Sequence, residues 1–106
     1  MNRLGRTNEA LEQSRLVIEG WAKYDGANTG SVALGSNNLA FQYLGAGQID
    51  QAQALFQRAY DIWSRVDGSQ PGRGTAIVLG GLADVAFLRE DWQKSFDLRS
   101  KAVDIL

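Results

Sequence analysis

The chain has 106 residues, 44% of them hydrophobic and 22% charged, with 11 basic against 12 acidic side chains, a formal net charge of −1, and neither cysteine nor histidine. That length suits one small domain, and the missing side chains exclude ordinary zinc sites, histidine-based triads, thiol nucleophiles and disulfide frameworks. The near-neutral balance argues against a general nucleic-acid surface.

The N-terminal stretch MNRLGRTNEALEQ lacks the apolar centre of a signal peptide, and the longest apolar run, Ala76 to Ala83, is interrupted by Gly80 and Gly81. No segment is expected to span a membrane. A cytoplasmic protein without metal or cofactor is the expectation, consistent with the absence of cysteine.

Apolar residues recur at steps of three and four, which predicts amphipathic helices over 8–24, 31–46, 50–66, 74–89 and 92–106. The first ends near Gly26. The second carries Ala33, Leu39 and Ala40, and from Gly26 through Ile49 the chain holds no Asp, Glu, Lys or Arg. The third shows the clearest stripe, Ala52, Leu55, Phe56, Ala59, Ile62, Trp63 and Val66, before the loop Gly68-Ser69-Gln70-Pro71-Gly72. Ala76, Leu79, Leu82, Ala83, Ala86 and Phe87 mark the fourth helix, and Trp92, Leu98, Ala102 and Ile105 the fifth. Asp50 and Asp91 are placed to accept from first-turn amides, and Gly26, Gly47 and Gly68 to take the left-handed conformation after a last turn. No strand candidate survives.

The chain also repeats itself. Shifted by 43, Ala33 falls on Ala76, Leu39-Ala40 on Leu82-Ala83, Leu55 on Leu98, Ala59 on Ala102 and Ile62 on Ile105. Shifted back by 42, Gly47 falls on Gly5, Ala52 on Ala10, Trp63 on Trp21 and Asp67-Gly68 on Asp25-Gly26. A period of this length is the mark of stacked structural repeats. The pattern reads as a half repeat over 5–30 and repeats over 31–73 and 74–106. The apolar stripes alone would also serve an unrelated five-helix bundle; the repeat is what argues against it.

These residues resemble the tetratricopeptide repeat, a hairpin of two antiparallel helices A and B. Leu39, Ala40 and Tyr43 stand at that family's helix A positions, Gly47 at its turn, and Ala52, Phe56 and Ala59 at the small, aromatic and small positions of helix B. The period, with Asn37-Asn38-Leu39-Ala40, is similar to the longer repeats of kinesin light chains. The flanking copies depart from the pattern: Ser14 stands at the aromatic position of the first, and Ala86, Glu90, Ser95 and Arg99 replace Tyr, Gly, Ala and the aromatic in the last. The resemblance implies an all-α, right-handed solenoid of about five helices and a non-catalytic module for protein–protein interaction.

It also implies that the A helices line a concave groove. With no Lys or Arg from Gly26 through Ile49 or from Gly74 to Leu88, a clamp for carboxylate termini is not expected. The candidate peptide-binding residues are Asn37, Asn38, Phe41 and Gln42, whose amides can pair with an extended backbone, together with Asp84, the one charge between Gly74 and Leu88. A local role for the two Asn side chains is the competing reading. Trp21 and Trp63 are expected to pack under the following A helix and Trp92 to lie in the core. Gly35, Gly80 and Gly81, costly inside helices, suggest close approach to a neighbouring helix.

The pattern opens on a helix B and stops within an apolar stripe. Satisfying such end faces calls for a partner, a longer parent chain, or tolerance; the expectation is self-association, as a homodimer or a helix-exchanged dimer, with Val103, Ile105 and Leu106 at the interface. The favoured function is a scaffold that binds a peptide or partner helix, and the alternative is a regulatory or sensor part of a larger signalling or transcription-regulating protein. No catalytic constellation is visible, and Gly72-x-Gly74 lacks the context of a phosphate loop.

Overall fold

The computed structural model describes residues 3–26, 29–67 and 72–105. They form five helices, α1 (Arg3–Asp25), α2 (Gly30–Gly45), α3 (Ile49–Asp67), α4 (Arg73–Leu88) and α5 (Trp92–Ile105), with no strand among the described residues. Four of the five match the sequence expectation to within a residue or so. The first runs five residues further toward the N-terminus, because helix continues through Gly5.

Local chemistry sets the boundaries. Thr29, extended at φ −95°, accepts from the Val32 amide at 3.4 Å and starts α2. Asp91 does the same for α5, accepting from the Lys94 amide at 3.3 Å. Asp50 does not cap: α3 begins one residue earlier, and the Asp50 carboxylate instead pairs with Arg89 at the far end of α4. Gly26 and Gly47 take positive φ of 100° and 79°, as expected; Gly68 lies outside the described residues.

The ends of α2 and α4 are built alike. At the first, the Gln48 amide reaches back to the Tyr43 carbonyl (2.9 Å) and that of Gly47 to Leu44 (3.1 Å). At the second, Asp91 reaches Ala86 (2.9 Å) and Glu90 reaches Phe87 (3.0 Å). This paired closure needs a left-handed residue after the helix. Gly47 supplies it without strain, whereas Glu90 adopts φ 62°.

α2 pairs with α3 and α4 with α5 as tight hairpins, while α1 lies against α2 and α3 against α4. α2 and α4 also touch each other, whereas the backbones of α1 and α3, and of α3 and α5, stay apart. The layer holding α2 and α4 is therefore the inner, concave one. The molecule measures 44 × 36 × 17 Å, a slab two helices thick, given a helix diameter of about 10 Å.

The core is a chain of three clusters. Leu11 and Ile18 of α1 meet Val32, Ala33 and Leu39 of α2 and Ile62 of α3. Ala40, Ala52, Phe56 and Ala59 then pack with Val78 and Val85 of α4. Ala76, Leu79 and Ala102 close the last hairpin, with Leu98 and Ile105 against them. The expected small residues at Ala40, Ala52 and Ala59 are fully buried, and they let the helices approach.

Trp63 lies under the following A helix as expected. A Cβ on Gly74 would stand 2.5 Å from its ring, so only glycine fits there. The Trp21 side chain lies outside the described residues. Trp92 corrects the sequence reading: it is 56% exposed, resting edge-on against Phe87 with centroids 5.0 Å apart. Its counterpart one repeat earlier, Ile49, packs into the second cluster, and no described helix follows α5 to cover Trp92 in the same way. The glycine expectation is also modified. Gly81 makes room for a side chain, since an added Cβ would meet Phe56 Cε1 at 2.3 Å, while Gly80 faces open space.

Candidate functional site

On the two helices of the concave layer the exposed and half-exposed positions include one stripe each, Leu34, Asn38, Phe41 and Gly45 on α2 and Ile77, Gly80, Asp84 and Leu88 on α4, each series at helical spacing. Leu34 and Ile77 occupy the same repeat position, 43 residues apart, and are 54% and 44% exposed. Large aliphatic residues left half in water at matching positions on touching helices form an apolar strip rather than scattered surface carbons.

The sequence-derived candidates fall in different surroundings. Phe41 sits in the strip, its ring edge-on to buried Phe56 at 4.9 Å and 79°. Asn38 and Gln42 are exposed and line a cleft of about 210 Å³ between α1 and α2, together with Ser14, Val17 and Gly35. Asn37 is 4% exposed, and its Oδ1 has no hydrogen-bond partner among the described residues. Such an oxygen destabilises the fold by about 1–3 kcal/mol. Ser36 Oγ, on the adjacent residue, is likewise buried with no partner among the described residues. Asp84 is engaged: its Oδ1 accepts from Arg99 Nη2 at 2.7 Å, tying α4 to α5.

Sequence spacing does not single out Leu34 and Ile77. Their signal was present in the repeat, as two large aliphatic residues aligned at a shift of 43, but no rule of spacing tells a core stripe from an exposed one on helices this apolar.

Charges concentrate away from the strip. Arg58 of α3 reaches Glu19 of α1 at 3.0 Å across the outer layer. Arg15 holds Glu12 through two contacts of 3.1 and 2.5 Å. Hydrogen bonding from Arg15 lowers the Glu12 carboxyl below its ordinary range, and the same contact raises the Arg15 guanidinium. These side chains are exposed or half-exposed, so the pairs do little for stability.

At the α5 end, Val103 is 66% exposed and neighbours Phe96, itself 69% exposed. Ile105 differs from the expectation: it is half-buried and turned into the last core cluster, because the α5 stripe of Leu98, Ala102 and Ile105 faces α4. Leu106 lies outside the described residues.

Among the described residues no group of three or more Asp, Glu, His or Cys could hold a metal ion, and no helix is long and apolar enough to cross a membrane.

Stacked helix hairpins with a small–aromatic–small B helix define a helical repeat protein. A tetratricopeptide repeat family profile matches residues 31–106, and the chain belongs to that family. The matched region spans α2 to α5. Tetratricopeptide repeats generally mediate protein–protein interaction and are typically non-catalytic. No curated protein shows a significant match to the chain, nor does any solved structure.

Proposed function

We propose that the chain is a non-catalytic interaction module that holds an extended peptide or a helix of a partner protein along the α2/α4 face. The observation that carries this reading is the pair Leu34 and Ile77, half-exposed at equivalent positions of touching helices, with the partly exposed Phe41 two turns along α2 from Leu34. α2 bears no charge, and the single carboxylate of α4 is already paired with Arg99. The strip therefore favours partner segments rich in apolar side chains, with Asn38 and Gln42 available to pair with backbone amides and carbonyls.

The test is selection from a random peptide library, followed by mapping of the selected peptide on the amide spectrum. Shifts along Leu34, Asn38, Phe41 and Ile77 support the reading. Shifts confined to the outer faces of α3 and α5 contradict it.

A second reading concerns α5. Phe87, Trp92, Phe96 and Val103 are each more than half exposed, with Phe87 and Trp92 in ring contact, a density of large apolar side chains that marks an interaction surface. We infer that this face supports self-association, with Phe96 and Val103 central and Ile105 serving the hairpin instead.

A further inference from the structure

The repeat provides an internal template for the cleft between α1 and α2. One period later, at the α3–α4 interface, the Phe56 ring lies fully buried against Gly81, with Val78 packed in the same cluster. The corresponding residues at the α1–α2 interface are Ser14 for Phe56, Asn38 for Gly81 and Gly35 for Val78. A benzyl group and an isopropyl group are thus replaced by a hydroxymethyl and a hydrogen, while the hydrogen of Gly81 is replaced by the exposed side chain of Asn38. What remains is the cleft of about 210 Å³.

Its walls suit one kind of guest. The floor comes from Ile18 and Leu39, both buried, and one side from the half-exposed Val17; none of the described residues that line it is charged. A dry apolar cavity of ~150 Å³ is enough to admit benzene, so a ring fits in volume. The polar groups are Ser14, Asn38 and Gln42, and the latter two are exposed, suiting them to pair with the backbone that carries the ring. An ionised guest would lose its hydration without a counter-charge.

We infer that this cleft is an anchor pocket for an uncharged aromatic side chain of the bound partner, a counterpart to the Phe56 ring one repeat later but seated beside Asn38 rather than against a glycine. The inference rests on the α2/α4 reading and deepens it, because Asn38 borders both the strip and the cleft.

The probe is N-acetyl-phenylalanine amide, titrated into the intact chain and followed by amide shifts, with N-acetyl-alanine amide and N-acetyl-lysine amide as comparisons. The expected result is a saturable response at Ser14, Gly35 and Asn38 with the phenylalanine compound alone. Val17→Asp, at a half-exposed position that tolerates a carboxylate, weakens that response at least about tenfold, a difference of 1.4 kcal/mol. Ser14→Phe combined with Asn38→Gly recreates the α3–α4 pairing; it abolishes the response and raises the melting temperature. A phenylalanine probe that perturbs no cleft amide, or does so no more than the alanine compound, overturns the inference. Library-selected peptides that still map to Leu34 and Ile77 would then leave the groove reading standing. If those peptides miss the strip, the groove reading fails regardless of the probe.

Discussion

Gly80 and Gly81 are neighbours in one helix and make opposite predictions. Replacing either by Ala brings the same gain in helix propensity, about 1 kcal/mol. At Gly80 nothing lies within 4 Å of the added Cβ, so Gly80→Ala stabilises by most of that amount. At Gly81 the new carbon would stand 2.3 Å from Phe56 Cε1 and 2.5 Å from Cζ. The ring cannot step aside: Phe56 is fully buried, and Phe41 stands edge-on against it at 4.9 Å. Overpacking of this kind costs typically 1–3 kcal/mol, which outweighs the propensity gain. Gly81→Ala is therefore neutral to destabilising by about 2 kcal/mol, and the two variants differ by about 1–3 kcal/mol. Near 100 residues each kcal/mol moves the midpoint by roughly 4–8 °C, so thermal unfolding followed by circular dichroism resolves the pair easily. Equal stabilisation by both substitutions would refute the packing of Phe56 into the α4 backbone, and with it the template used for the α1–α2 cleft.

Glu90→Gly relieves the left-handed strain at φ 62°, worth about 1–2 kcal/mol. The extra freedom of glycine in the unfolded chain offsets part of it, leaving a net gain of about 0.5–1 kcal/mol by denaturant titration. Asn37→Leu removes the buried, unpartnered Oδ1 and raises stability by about 1 kcal/mol; a loss of stability would mean that the amide is satisfied in solution. Phe96→Lys places a charge on the exposed α5 face. The unaltered chain is expected to show concentration-dependent sedimentation and this variant a single slow species, whereas a monomer at every concentration of the unaltered chain contradicts association through α5.

The fold was legible because the repeat and the helical period agree. Each alone leaves alternatives, but Ala40, Ala52, Phe56 and Ala59 satisfy both, and all four are fully buried. The site was less legible for a physical reason. α2 and α4 are so rich in apolar and small residues that sequence spacing does not separate the stripe facing α3 or α5 from the stripe facing solvent. Asn37 and Asn38 are adjacent in sequence and similar in chemistry, yet one is buried with an unpaired oxygen and the other is exposed at the cleft. Trp92 shows the same limit. Its spacing suits a core position, but its burial depends on whether another helix packs against α5. Glu90 shows the converse: the residue departs from the repeat while the backbone keeps the form set by Gly47.

The claim that the α2/α4 face is the binding surface is tested most directly by calorimetric titration of a library-selected peptide against two charged variants. Leu34→Glu introduces a carboxylate on the apolar strip, and Ala54→Glu introduces the same group on exposed α3. Desolvating an unpaired carboxylate under a bound peptide costs more than 1.4 kcal/mol, hence at least about a tenfold loss of affinity for Leu34→Glu. Ala54→Glu is expected to leave the affinity unchanged. Undiminished binding by Leu34→Glu, with both variants folded, would contradict the assignment of that face.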